Sequence, residues 1–188
     1  EPLENMYGML FYSKLKLIDP QINYLIEEGI PSLHTKLALR NGKIIQVYGL
    51  HPAPPSPTEH ESSKERDAEL VLVARAVKKH NEPTVVMGDL NDVAWSRTTR
   101  LFQKISGLLD PRIGRGFYNT FNTQWPLLRW PLDHIFHSNH FQLIDKKRLP
   151  NVGSDHFPIL AQLQYQPIAT AKQETPSASR QEQKEAQR

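Results

Sequence analysis

The sequence predicts an α/β domain that contains a β-hairpin and a β-α-β unit. Three observations carry that expectation. Two strand-like runs flank Asn41-Gly42, a strand–helix–strand succession runs through Glu65 to His80, and the apolar run Val85 to Met87 lies between Pro83 and Gly88. A short apolar run with such boundaries reads as a strand covered on both faces.

The first element with a clear signature is the hairpin. Leu33, Thr35, Leu37 and Leu39 alternate weakly before Asn41-Gly42, and Ile44, Ile45, Val47 and Tyr48 follow it. Asn-Gly between two such runs is the strongest short-range hairpin signal. Upstream, Tyr7 to Tyr12 is rich in aromatics and predicts a strand. Downstream, His51 closes the second hairpin strand and a proline-rich loop, Pro52 to Pro57, begins. A His there is equally well read as a surface loop residue or as part of a site.

Ser62, with Glu65 three residues on, predicts a capping box for a helix through His80. Leu70, Val73, Ala74 and Val77 recur at helical spacing, with Lys78, Lys79 and His80 in the last turn. The next strand, Thr84 to Met87, completes one β-α-β unit. Ser96 predicts a second helix through Ile105, stopped by Gly107. Residues 110–122 read as loop. Trp125 and Trp130 predict pins for the following segment, while Arg129 beside aromatic rings suits gripping a phosphate or stacking on a base. Leu132 to Phe136, Phe141 to Leu149 and the alternating Ile159 to Tyr165 predict three further strands. Residues 167–188 are Gln, Glu, Lys, Ser and Ala with almost no large apolar side chain, which predicts a disordered polar tail after a domain spanning 1–166.

Composition sets bounds. The chain has 188 residues, 38% hydrophobic and 23% charged, enough for one domain with a real core. A net charge of +3 is compatible with an anionic partner but too small to identify one. The absence of cysteine excludes disulfides, thiolate zinc sites and thiol nucleophiles. No apolar run approaches the roughly 20 residues needed to span a bilayer. Nothing in the composition indicates a compartment.

The chemistry concentrates at the end of the buried strand. Asp89, Asn91 and Asp92 follow Gly88, and ligands bind outside the carboxyl ends of strands in covered sheets. If the chain stays extended across Leu90, Asp89 and Asn91 project toward one spot, suiting a hard cation or an attacking water. Taken alone, this stretch reads more readily as a turn. His134, His137 and His140 are spaced by three, but strand and turn residues surround them, which disfavours a zinc site. His34, His60 and His80 read as structural or surface residues.

Four signals occur in one order: His51 after a strand, Gly88-Asp89-Leu90-Asn91, Leu132-Asp133-His134, and Gly153-Ser154-Asp155-His156-Phe157-Pro158. Together they resemble the endonuclease/exonuclease/phosphatase superfamily over roughly Tyr7 to Tyr165, closest to a poorly characterised bacterial branch. The resemblance implies part of a four-layer α/β/β/α sandwich of the deoxyribonuclease I-like kind, with mixed sheets and outer helices. It also implies a hydrolase of phosphoesters, a nuclease or other phosphodiesterase, that uses Mg2+ or Mn2+ and direct water attack. Asp89 resembles the acid that orients or deprotonates the attacking water. Asn91 resembles the amide that helps hold the phosphate or that water, His51 a second His near the phosphate, and Asp155 a metal-associated carboxylate. His156 resembles the His on the scissile phosphate, and Asp133 the acid that orients it. The implied partner is a phosphoester, nucleic acid among the candidates, with no obligate protein partner. A phospholipid or inositol phosphate substrate and a non-catalytic binding role on the same fold are the alternatives. The family's upstream Asn and its metal-binding Glu have no counterpart, because Glu4 and Asn5 follow no strand. The chain therefore resembles a carboxyl-terminal portion with an incomplete metal site.

Overall fold

The computed structural model describes residues 1–55 and 62–187. Its centre is a five-stranded sheet in the order β1-β2-β3-β4-β5, and β6 and β7 form a second, two-stranded sheet. The strands are β1 (Lys16–Asn23), β2 (Ser32–Ala38), β3 (Ile44–Gly49), β4 (Thr84–Asp89), β5 (Asp133–His137), β6 (Phe141–Arg148) and β7 (Ile159–Tyr165). Helices α1 (Lys64–His80) and α2 (Arg97–Ser106) connect β3 to β4 and follow β4. Strands β3 and β4 are parallel, as a β-α-β unit demands, and the other neighbours in the large sheet are antiparallel.

Strand alternation divides the apolar residues between two cores. Tyr48, Leu50, Val86 and Phe136 meet Leu70, Val73, Val77, Phe102 and Ile105 under the helices. Leu37, Ile45 and Val47, joined by Val85 and Met87, meet Phe141, Leu163 and Tyr165 of the small sheet. The run from Val85 to Met87 is continuously apolar because it is covered from both sides. Helix, sheet and sheet are three of the four layers expected, and the mixed-sheet α/β class holds.

Asn41-Gly42 turns the hairpin as expected: Gly42 has φ 80° and the Asn41 side chain accepts from the Lys43 N–H at 3.1 Å. Ser96 caps α2 by accepting from the Thr99 N–H at 2.9 Å, and Gly107 ends it with φ 73°. Elsewhere the structure departs from the sequence expectation. Residues 7–12 form no strand. The edge strand is β1 instead, and a bulge between Ile18 and Gln21, with Asp19 at φ 47°, interrupts its pattern. The N-cap of α1 is Ser63 rather than Ser62, with no side-chain capping bond, so the expected box does not form. The Ser62 hydroxyl instead approaches the Glu65 carboxylate at 3.5 Å. Residues 56–61, including the end of the proline-rich loop and His60, lie outside the described residues.

The predicted disordered tail is replaced by a short 3-10 turn at Pro167–Ala171 and helix α3 (Arg180–Glu185). Ser179 and Glu182 form a capping box, and Lys104 and Arg97 of α2 pair with Glu182 and Glu185 at 2.6 and 2.5 Å. Small apolar contacts accompany these charges, since Ala178 and Ala186 pack on the helical core. Charge complementarity with α2 takes the place of the large apolar residues that this segment lacks. Among the described residues, no helix is long and apolar enough to cross a membrane.

Candidate active site

Four side chains converge at the carboxyl ends of β3 and β4. Asp89 and Asp133 are directly opposite in the antiparallel β4–β5 ladder. One ligand atom each of Asp89, Asp133 and His156 lies within 4.8 Å of the others, and this is the cluster of that kind among the described residues. His156 Nδ1 is 2.7 Å from Asp133 Oδ2, and its Nε2 is 3.6 Å from Asp89 Oδ2. His51 Nε2 reaches the same Asp89 oxygen at 3.9 Å from the other strand end. All four side chains are partly buried.

Backbone constraints set these positions. At Gly88, φ is 143°, and a Cβ would stand 1.9 Å from the Leu50 carbonyl oxygen. The glycine lets β3 and β4 close up, with the Leu50 N–H donating to Met87 O at 3.0 Å, so that His51 meets Asp89. On the other side, Thr120 is the clamp. Its hydroxyl accepts from the Asp133 N–H at 3.2 Å, and its carbonyl accepts from the Phe157 N–H at 2.9 Å. The Phe121 ring lies 4.9 Å from the His156 ring, and the Tyr7 ring 5.3 Å from that of His51.

The electrostatics follow from burial and charge. Burial, then the neighbouring Asp133 charge, raises the Asp89 pKa above its ordinary 3.8, against the opposing Asn91 N–H and both imidazoles. For His156, burial works against the charged form. The Asp133 hydrogen bond and the charges of Asp133, Asp89 and Asp155 outweigh it, so the pKa is raised above 6.5.

The remaining expected site residues are placed differently. Asn91 has φ 48°, so the chain does not stay extended past Leu90. Its backbone N–H donates to Asp89 Oδ1 at 2.8 Å, and its side-chain amide donates to the Pro52 carbonyl at 2.9 Å. Asn91 thus orients Asp89 and ties down the loop after His51. Asp155 is exposed and outside the three-residue cluster; its Oδ1 accepts from Ser154 at 3.3 Å, and its charge is felt by His156. Arg129 donates to the carbonyls of Asn122 and Thr123 at 3.2 Å and lies 4.9 Å over the Phe157 ring, so it braces the loop. Trp125 and Trp130 are 61% and 40% exposed, so burial of these rings does not pin that loop.

Sequence reasoning missed the layer beneath the site. His134 is fully buried, with Nδ1 2.6 Å from Arg112 and Nε2 2.8 Å from the Asp92 carbonyl. Burial, aided by Arg112, drops its pKa to about 3, so it is neutral and carries its proton on Nε2. Arg112 forks onto Asp110 at 2.7–3.0 Å. Asp92 accepts from Thr99 Oγ1 at 2.9 Å and from Ser96, and faces Arg66 at 3.6 Å. The available hint was the pair Asp110 and Arg112, set two apart around a proline. Among the described residues His134, His137 and His140 form no shared metal-ligand group, and His137 Nδ1 lies 2.9 Å from the Ser138 carbonyl, which disfavours the zinc alternative.

The family model for the Endonuclease/Exonuclease/phosphatase family matches residues 2–156, and the chain belongs to that family. Among solved structures, a functionally unknown conserved protein from Enterococcus faecalis V583 superposes with a TM-score of 0.66 at 21% identity, over 81% of this chain and 68% of that one. A mannosyl-6-phosphatase from Bacteroides thetaiotaomicron VPI-5482 gives 0.61 at 20% identity, over 81% and 68%. D. rerio TDP2 complexed with a single-strand DNA product gives 0.63 at 16% identity, over 80% and 68%. The chain spans about two thirds of the length of these proteins. No protein of curated function matches.

Proposed function

We propose that this chain is a phosphoester hydrolase, acting on a phosphodiester by direct attack of water. The observation that carries the reading is Asp89, flanked by the Nε2 atoms of His156 and His51 at 3.6 and 3.9 Å, with Asp133 on the far nitrogen of His156. Asp89 accepts the proton of the attacking water, and its raised pKa brings its basicity closer to neutral pH. Asp133 holds the His156 ring and stabilises its protonated form, so that Nε2 presents a cationic donor to the phosphoryl oxygen as charge builds there. His51 adds a second imidazole beside the same Asp89 oxygen. Asn91 fixes the lone pairs of Asp89 from the backbone.

Two carboxylates beside an imidazole fit a divalent ion held mainly by water and phosphate oxygens, which is how Mg2+ is commonly bound. Mg2+ or Mn2+ would be held by Asp89 and Asp133, with Asp155 contributing from the rim, and would supply charge against the phosphate oxygens. The nearest chemical alternatives differ in the group carrying the phosphate, so the first test uses a substrate indifferent to it.

That test is hydrolysis of bis-p-nitrophenyl phosphate by the 188-residue chain in millimolar Mg2+ or Mn2+. We expect turnover that EDTA abolishes and that His156→Ala lowers by about 10³-fold. Turnover unaffected by both EDTA and the substitution would reject the reading.

A further inference from the structure

We propose that a second pocket, outside the catalytic cluster, binds a phosphorylated aromatic ligand of the nucleoside monophosphate class. The cavity is about 600 Å³, within the range that encloses a small ligand. Trp95, Phe117 and Ile113 line it together with Arg100, Arg112 and Arg115, while Asp89, Asp133 and His156 do not.

Two independent features point to that chemistry. The first is aromatic: Trp95 and Phe117 are 46% and 67% exposed, and their rings meet edge to face at 5.8 Å in the pocket lining. Exposed rings so arranged offer a face on which a planar heterocycle stacks. The second is cationic: Arg112 is 5% exposed and spends Nε and Nη2 on Asp110 and His134, while Nη1 is buried without a hydrogen-bond partner. A buried guanidinium nitrogen without an acceptor is costly; Nη1 is closed off from the cavity, so a small rotation of Arg112 would be needed for a ligand oxygen to reach it and remove that cost. Asp110 also lines the pocket but is already neutralised by Arg112, leaving Arg100 and Arg115 as exposed positive charge at the walls. A neutral aromatic ligand would use the rings and waste the three guanidinium groups, and inorganic phosphate would do the reverse.

The test is calorimetric titration of the 188-residue chain in EDTA with AMP, adenosine and inorganic phosphate. AMP is expected to saturate one site, at least tenfold tighter than either fragment. Trp95→Ala and Phe117→Ala, both at exposed positions and checked for unchanged circular dichroism, should each weaken AMP about tenfold. Arg115→Gln should weaken AMP and phosphate alike. His156→Ala should leave AMP binding unchanged, which separates this pocket from the proposed catalytic centre. A deoxytetranucleotide that binds tighter than AMP, with the same loss in Trp95→Ala, supports the pocket with a strand end as the natural source. Tighter AMP supports it with a free nucleotide. No saturable AMP binding, affinity indifferent to both aromatic substitutions, or affinity lost in His156→Ala would each overturn the proposal.

Discussion

The carbonyl oxygen of Leu50 occupies the space that a side chain on Gly88 would need, 1.9 Å from the ideal Cβ position. This contact sets the spacing of β3 and β4 and so brings His51 to Asp89. Gly88→Ala combines backbone strain at φ 143° with a collision against rigid backbone. We expect a loss of about 3 kcal/mol, seen as a Tm lower by about 10 °C. A Tm within about 2 °C of the parent would show that the strands can separate cheaply.

The Asp133–His156 bond predicts a pH signature. The folded pKa of His156 is raised above 6.5, so its favourable charge is fully present below pH 6.5 and is lost as pH rises through the raised value. Asp133→Asn removes both the hydrogen-bonded carboxylate and its charge. The alkaline limb of kcat/KM should move to lower pH, with a rate loss of about 10²-fold at neutral pH. An unmoved limb would assign that titration to another group.

Asp89 makes the opposite contribution to stability. Its raised pKa means that folding disfavours the ionised carboxylate. The cost is absent below pH 3.8, grows as pH rises toward the folded value, and persists above it. Asp89→Asn should therefore be nearly inactive yet more stable at pH 7 in EDTA, gaining about 2–4 °C in Tm for each kcal/mol relieved. The gain should vanish near pH 4. Thermal melts across that range check the prediction, and a variant less stable at pH 7 would contradict it.

What could be read in the sequence was what short-range physics decides. Asn41-Gly42, Ser96 with Gly107, and the helical spacing from Leu70 to Val77 fix their conformations locally, and the structure keeps all three. Asp89, Asp133, His156 and His51 were legible one by one, but their meeting depends on Asp133 falling opposite Asp89 in the ladder. That register is a tertiary fact. Strand β1 was hidden because the bulge beside Pro20 breaks its alternation and most of it is exposed. The bracing contacts of Arg129 were not legible, because its donors turn back to carbonyls only six and seven residues away. Composition could not show that helix α3 finds Lys104 and Arg97.

The buried pair beneath the site supplies the last prediction. Burial alone would raise the Asp110 pKa, but the hydrogen bonds and charge of Arg112 outweigh it and hold the carboxyl below 3.8. The pair therefore contributes stability that is present above pH 3.8 and is lost as pH falls through the lowered value. Arg112→Met strands a buried carboxylate and should cost about 3–5 kcal/mol. Pairing it with Asp110→Leu removes the stranded charge, so the double variant should be more stable than Arg112→Met alone. Its Tm should also fall less steeply than the parent's below pH 4, since one acid-sensitive carboxylate is gone. Thermal melts of the three proteins at pH 7 and pH 3 measure both effects. A double variant as unstable as Arg112→Met at pH 7 would mean that the lost partner of His134, rather than the bare carboxylate, dominates the cost.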